Sequence, residues 1–106
     1  MAHTYRVQNI VIYSSQLRSL LFRMVPNDYY EQTKQTLLNA QAAAAEVGAT
    51  LQDCLTCRIF ILDYNMYDEV NRAYKEIMPN NPFPTRACLQ ISRMLPDVLV
   101  EMEFIF

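Results

Sequence analysis

The stretch Asp53 to Pro79, DCLTCRIFILDYNMYDEVNRAYKEIMP, decides the fold. Its first ten residues carry a nearly continuous apolar run of strand length, the pattern of a strand buried on both faces. Asp63 and Asn65 are residues that open helices, and Met66, Val70, Ala73, Tyr74 and Ile77 then recur at three- and four-residue spacing until Pro79 breaks the pattern. A helix is expected from about Met66 to Met78. A buried strand followed at once by an amphipathic helix calls for a sheet with that helix lying on it.

Upstream, Pro26-Asn27-Asp28 stops whatever precedes it and opens another helix, from about Tyr29 to Val47. Asp28 reads as its N-cap, with Glu31 three residues on in a capping-box arrangement. Tyr30, Thr33, Leu37, Ala40, Ala44 and Val47 form the stripe that faces a sheet, the alanines Ala42 to Ala45 let the backbone approach it, and Gly48 supplies the left-handed residue that ends the helix. Val7 to Tyr13, VQNIVIY, reads as a first strand. Leu17 to Val25 follows neither period and stays open between strand and short helix. Downstream, the polar connection 80–84 leads into a strand in which Arg86, Cys88 and Gln90 share one face and Ala87, Leu89 and Ile91 the other. Leu95-Pro96-Asp97 turns the chain. In Val98 to Phe106, VLVEMEFIF, Val98, Val100, Met102, Phe104 and Phe106 alternate with Leu99, Glu101, Glu103 and Ile105. The order predicts an α+β or α/β domain: one mixed sheet with two helices packed on one face.

With 106 residues, 52% of them hydrophobic, the chain makes one domain with a core of its own. A net charge of −2 with scattered Lys and Arg provides no basic stripe, which excludes nucleic acid as the expected partner. No apolar run approaches a membrane span, and the first residues lack a secretion signal, so a soluble cytoplasmic protein is expected, with the mitochondrion as the alternative. An odd count of three cysteines fits reduced thiols. Cys54 and Cys57 make a C-x-x-C that could be half a zinc site or a redox pair, but no second pair exists, and the expected reading is core thiols. A single glycine, Gly48, removes glycine-rich phosphate loops. Nucleotide cofactors are not expected.

Arg86 and Glu101 carry the chemistry that remains. Their strands are joined by a short turn, so the two are expected to share a face. The modest reading is a pair of solvated charges or a salt bridge contributing about 0 to 1 kcal/mol. In the functional one, the planar guanidinium of Arg86 holds a substrate carboxylate by two parallel hydrogen bonds, and Glu101 deprotonates a water aimed at a nearby electrophilic carbon.

The segment PFPTRACLQISRMLPDVLVEMEFIF resembles the C-terminal signature of the Rid (YjgF) family: a Pro-x-Arg segment, a Leu-Pro turn and a Val/Ile-Glu-x-Glu strand. YEQTKQTLLNAQAAAAEVGATLQD is similar to that family's first helix, RIFILDYNMYDEVNRAY to its strand and second helix with the Val70-Asn71 pair, and IVIYSSQL to its Ser-Gly-Gln segment. The resemblance implies a chorismate-mutase-like fold, a homotrimer with sites between subunits, and no cofactor. It also implies hydrolysis of reactive 2-enamine and 2-imino acids, such as those derived from 2-aminoacrylate, to 2-oxo acids and ammonia. Carried onto this chain, it makes Arg86 the carboxylate anchor, Glu101 the residue that positions water, and Ser14, Ser15, Asn71 and Cys88 residues that line the substrate. Ser15 stands where the family has glycine, and the family's N-terminal Gly-Pro-Tyr segment has no counterpart here. These departures keep a second expectation alongside: a non-catalytic trimeric relative that binds small carboxylates or protein partners.

Overall fold

The structure is a computed structural model and describes residues 4–8, 28–46, 48–78 and 85–105. The segment from Leu17 to Val25, the expected first strand beyond Gln8, the connection 80–84 and the candidate site residues Ser14 and Ser15 lie outside the described residues. In chain order the elements are β1 (Thr4–Gln8), α1 (Tyr29–Ala45), β2 (Thr56–Ile61), α2 (Tyr67–Ile77), β3 (Thr85–Gln90) and β4 (Val100–Ile105). The strands form one mixed sheet in the spatial order β1-β4-β2-β3. The β1–β4 and β4–β2 pairs are antiparallel and β2–β3 is parallel, so α2 is the crossover of a βαβ unit.

Both ends of α1 follow from local chemistry. The Asp28 carboxylate accepts the Glu31 amide at 2.8 Å, satisfying a donor the helix itself leaves unpaired. At the other end Gly48 takes φ 75°, its amide donating to Ala45 O (3.1 Å) while that of Ala49 donates to Ala44 O (2.9 Å), a Schellman closure. The buried stripe consists of Gln32, Thr33, Thr36, Leu37, Ala40 and Ala44. This corrects the expected stripe at two places. Tyr30 turns instead toward α2, where its hydroxyl donates to Glu76 and its ring lies 3.7 Å from the Arg72 guanidinium. Among Ala42 to Ala45 only Ala44 is buried. Before α2, Asp63 accepts the Asn65 amide at 3.0 Å and opens a single 3-10 turn, Tyr64–Met66, that runs into the helix.

The core lies between the helices and one face of the sheet. Leu37, Ala40 and Ala44 from α1 and Val70 and Tyr74 from α2 meet Cys57, Ile59 and Ile61 of β2 and Val100, Met102 and Phe104 of β4. The alternation read in β4 is therefore the one the fold uses. One strand reading needs correction, and the inner face of β3 becomes visible. In β2 only one face is buried, for Arg58 is exposed and Phe60 half-buried, because both helices lie on the other side. In β3 Arg86 and Cys88 lie on the helix side, whereas Ala87 and Leu89 are exposed. Cys54 and Cys57 are buried free thiols, in line with core packing.

Candidate functional site

Register settles which side chains can meet. Cys57 of β2 lies beside Arg86 of β3 and Phe104 of β4, Ile59 beside Cys88 and Met102, and Ile61 beside Gln90 and Val100. These rows face the helices. On the reverse face Arg58 lies between Ala87 and Glu103, and Phe60 between Leu89 and Glu101. Arg86 and Glu101 thus point to opposite sides of the sheet within one chain. The expected shared face fails because β2 intervenes between β3 and β4, and its register puts the two residues in rows of opposite parity. Glu103, the other glutamate of β4, is buried beneath Arg58, whose Nε donates to its Oε1 at 2.8 Å.

Arg86 is half-buried where β3 passes under α2. Tyr67, Asn71 and Tyr74, spaced four and three residues apart, present one line of the helix to it. Nη1 donates to Asn71 Oδ1 at 2.8 Å and Nη2 to the Tyr67 hydroxyl at 2.5 Å. The guanidinium carbon lies 4.6 Å from the Tyr74 ring centroid and 5.7 Å from that of Tyr67, close enough for both ring faces to stabilise the cation. The described ion pairs are Arg58–Glu103 and Arg72–Glu69, and among the described residues no carboxylate pairs with Arg86. Among the described residues its charge is oriented by neutral oxygens.

Groups behind the guanidinium are held in their neutral forms. Burial pushes the Cys57 thiol far up and the nearby Cys54 thiol adds to this, while Arg86 opposes it. The Tyr74 phenol is raised by burial and then by Cys57, again against Arg86. Burial likewise raises Cys88, and Arg86 partly offsets it. Cys88 is thereby held as a thiol beside Arg86.

Of the residues expected from sequence, Arg86, Asn71 and Cys88 come together, and Glu101 stands on the reverse face. Tyr67 and Tyr74 were missed. Their spacing with Asn71 on a helix already expected was the available signal, but Tyr74 had been absorbed into the core stripe. Among the described residues no group of three or more His, Cys, Asp or Glu could hold a metal ion, and no helix is long and apolar enough to cross a membrane.

Comparison with known proteins adds independent evidence. The family model described as Endoribonuclease L-PSP matches residues 2–106. A RutC family protein of Pyrococcus abyssi is 35% identical over 82 residues, 77% of this chain and 64% of that protein. The 2-iminobutanoate/2-iminopropanoate deaminase of Escherichia coli K12 is 32% identical over 83 residues, 76% of this chain and 65% of the enzyme. The matches thus span less than two thirds of these curated relatives. Among solved structures, a protein of unknown function from Yersinia pestis, of the Rid family, is 32% identical with a TM-score of 0.75, covering 79% of this chain and 67% of its own. Escherichia coli TdcF with bound serine, 24% identical, superposes with a TM-score of 0.82 over 98% of this chain and 78% of TdcF and supports the fold.

Proposed function

The chain belongs to the Rid (YjgF) family, and from that premise we propose that it hydrolyses reactive 2-enamine and 2-imino acids to 2-oxo acids and ammonia. One observation carries this reading: a half-buried guanidinium aimed by Asn71 and Tyr67, with no carboxylate partner among the described residues. The N–H groups those bonds leave over can grip the carboxylate of a 2-imino acid in two parallel hydrogen bonds. That grip fixes C2, the carbon to be attacked, relative to the protein.

The reaction needs only water. An enamine such as 2-aminoacrylate tautomerises to its imine, and water adds to C2 while the nitrogen takes a proton. The carbinolamine then breaks its C–N bond, releasing ammonia and leaving the 2-oxo acid. Glu101 positions and deprotonates the water, a role typically contributing about 10²- to 10⁴-fold. Since Glu101 and Arg86 occupy opposite faces in one chain, the Glu101 serving a given Arg86 comes from a neighbouring subunit of a homotrimer. Leu89, on the reverse face and 45% exposed, supports association through that face. Cys88 and Asn71 line the substrate, and the family resemblance assigns Ser14 and Ser15 the same role. The net charge of −2 weighs against RNA as the substrate, despite the family's descriptive name.

The opposed placement of Arg86 and Glu101 also favours a second reading, in which the anchor binds small carboxylates without turning them over. A coupled assay separates the two. 2-Aminoacrylate generated from serine by a dehydratase is expected to yield pyruvate faster when this protein is added, and Arg86→Ala is expected to abolish the gain. No acceleration at any protein concentration would leave only the binding reading.

A further inference from the structure

Beside Arg86 stands an aromatic step that the hydrolysis above does not use. Tyr64 is 49% exposed, yet its ring is stacked on that of Tyr67, with 5.3 Å between centroids and 25° between planes. The Tyr67 hydroxyl in turn touches Arg86. Tyr64 is held in place from two sides. Its amide donates to Gln90 Oε1 at 2.7 Å, and Gln90 lies on the β3 face that carries Arg86 and Cys88. The turn that Tyr64 begins is capped by Asp63, which accepts the Asn65 amide. A large apolar ring is thus kept part-exposed and fixed, one ring away from the group that orients the anchor.

We propose that Tyr64 and Tyr67 form an aromatic wall that selects ligands by side chain, so that the site prefers 2-imino acids with planar aromatic side chains over the smallest ones. The inference rests on Arg86 being the carboxylate anchor. With the carboxylate fixed there, an aryl side chain can extend the Tyr67–Tyr64 stack in offset geometry, whereas a methyl group has too little surface to gain from it. A stack of this kind discriminates by about 2- to 12-fold.

Phenylpyruvate and pyruvate, the products of an aromatic and a minimal imine, are the probes. Calorimetric titration of the whole chain is expected to show phenylpyruvate bound about 2- to 12-fold more tightly. Tyr64→Ala should remove that margin, weakening phenylpyruvate more than pyruvate, and Tyr64→Phe, which keeps the ring, should retain it. Equal affinity for the two acids, equal weakening of both in Tyr64→Ala, or failure to bind either overturns the wall. Hydrolysis of the phenylalanine- and alanine-derived imines, measured on the same samples, tests the other reading. Selective binding with neither imine hydrolysed keeps the wall and removes the deaminase; hydrolysis of both with equal affinities does the reverse.

Discussion

Arg86 shows how little a charge says until its neighbours are known. Its sequence context marks a strand entrance, and the resemblance supplies the anchor role and names Asn71 only as a residue lining the substrate, not as the partner of Arg86. The Tyr67 contact became visible only when α2 was laid over β3. That geometry gives a graded expectation. Arg86→Lys keeps the charge but cannot donate to Asn71, Tyr67 and a carboxylate from one rigid plane, so pyruvate affinity should fall at least tenfold, as measured by calorimetry. Tyr67→Phe removes one acceptor and should weaken binding by a smaller amount, about 0.5–1.5 kcal/mol. A Lys variant that binds as tightly as the parent would mean the site needs only a point charge. Cys57 offers a pH test. Burial raises its folded-state pKa far above the unfolded value of about 8.5, so the unfolded chain loses this proton first as pH rises. The associated stability is complete below about pH 8.5 and declines above it by up to about 1.4 kcal/mol per pH unit. Urea midpoints should therefore fall between pH 8.5 and 9.5, less steeply in Cys57→Ala than in the parent.

At the scale of elements, what could be read was local and what could not was pairing. Asp28, Asp63 and Gly48 announce their helix ends through bonds within a few residues, so a sequence displays them. The β4 alternation was legible because one of its faces is apolar throughout. The two faces of β3 were legible, but not which of them meets the helices, because its helix side holds Arg86 and Cys88 while Ala87 and Leu89 face outward. Its pairing with β2, and not with the strand next in sequence, is a long-range choice made through α2. Gln32 was overlooked for a related reason: a polar residue rarely counts toward a buried stripe. It is fully buried, with Nε2 donating to Asp97 O at 2.9 Å and Oε1 accepting the Leu99 amide at 2.8 Å. The side chain of α1 thereby fixes the turn, with Asp97 at φ 65°, that leads into β4. Gln32→Leu keeps much of the volume but leaves a carbonyl and an amide without this partner. The expected loss is about 1–3 kcal/mol for each group left unsatisfied, measured by urea unfolding. A change below about 0.5 kcal/mol would show that the turn holds without it.

For the whole molecule, the decisive feature is that the sheet separates the two charged residues assigned to one reaction. A single chain offers Arg86 on the helix face and Glu101 on the reverse face, with Leu89 beside Phe60 and Glu101 there. If a closed ring of three chains brings each Arg86 to its neighbour's Glu101, every chain gives Arg86 to one site and Glu101 to the next. Two inactive variants should then complement each other. Arg86→Ala and Glu101→Gln are each expected to lose turnover as homotrimers. When the two are unfolded together in equal amounts and reassembled, an interface carries both native residues whenever an Arg86→Ala chain supplies Glu101 to a Glu101→Gln chain. Random assembly makes that about a quarter of the interfaces, so about a quarter of the parent activity should return. Mass measurement on the same mixture must show three chains per particle. A reassembled mixture that stays inactive although its trimers are mixed would overturn the pairing of Arg86 with a neighbour's Glu101.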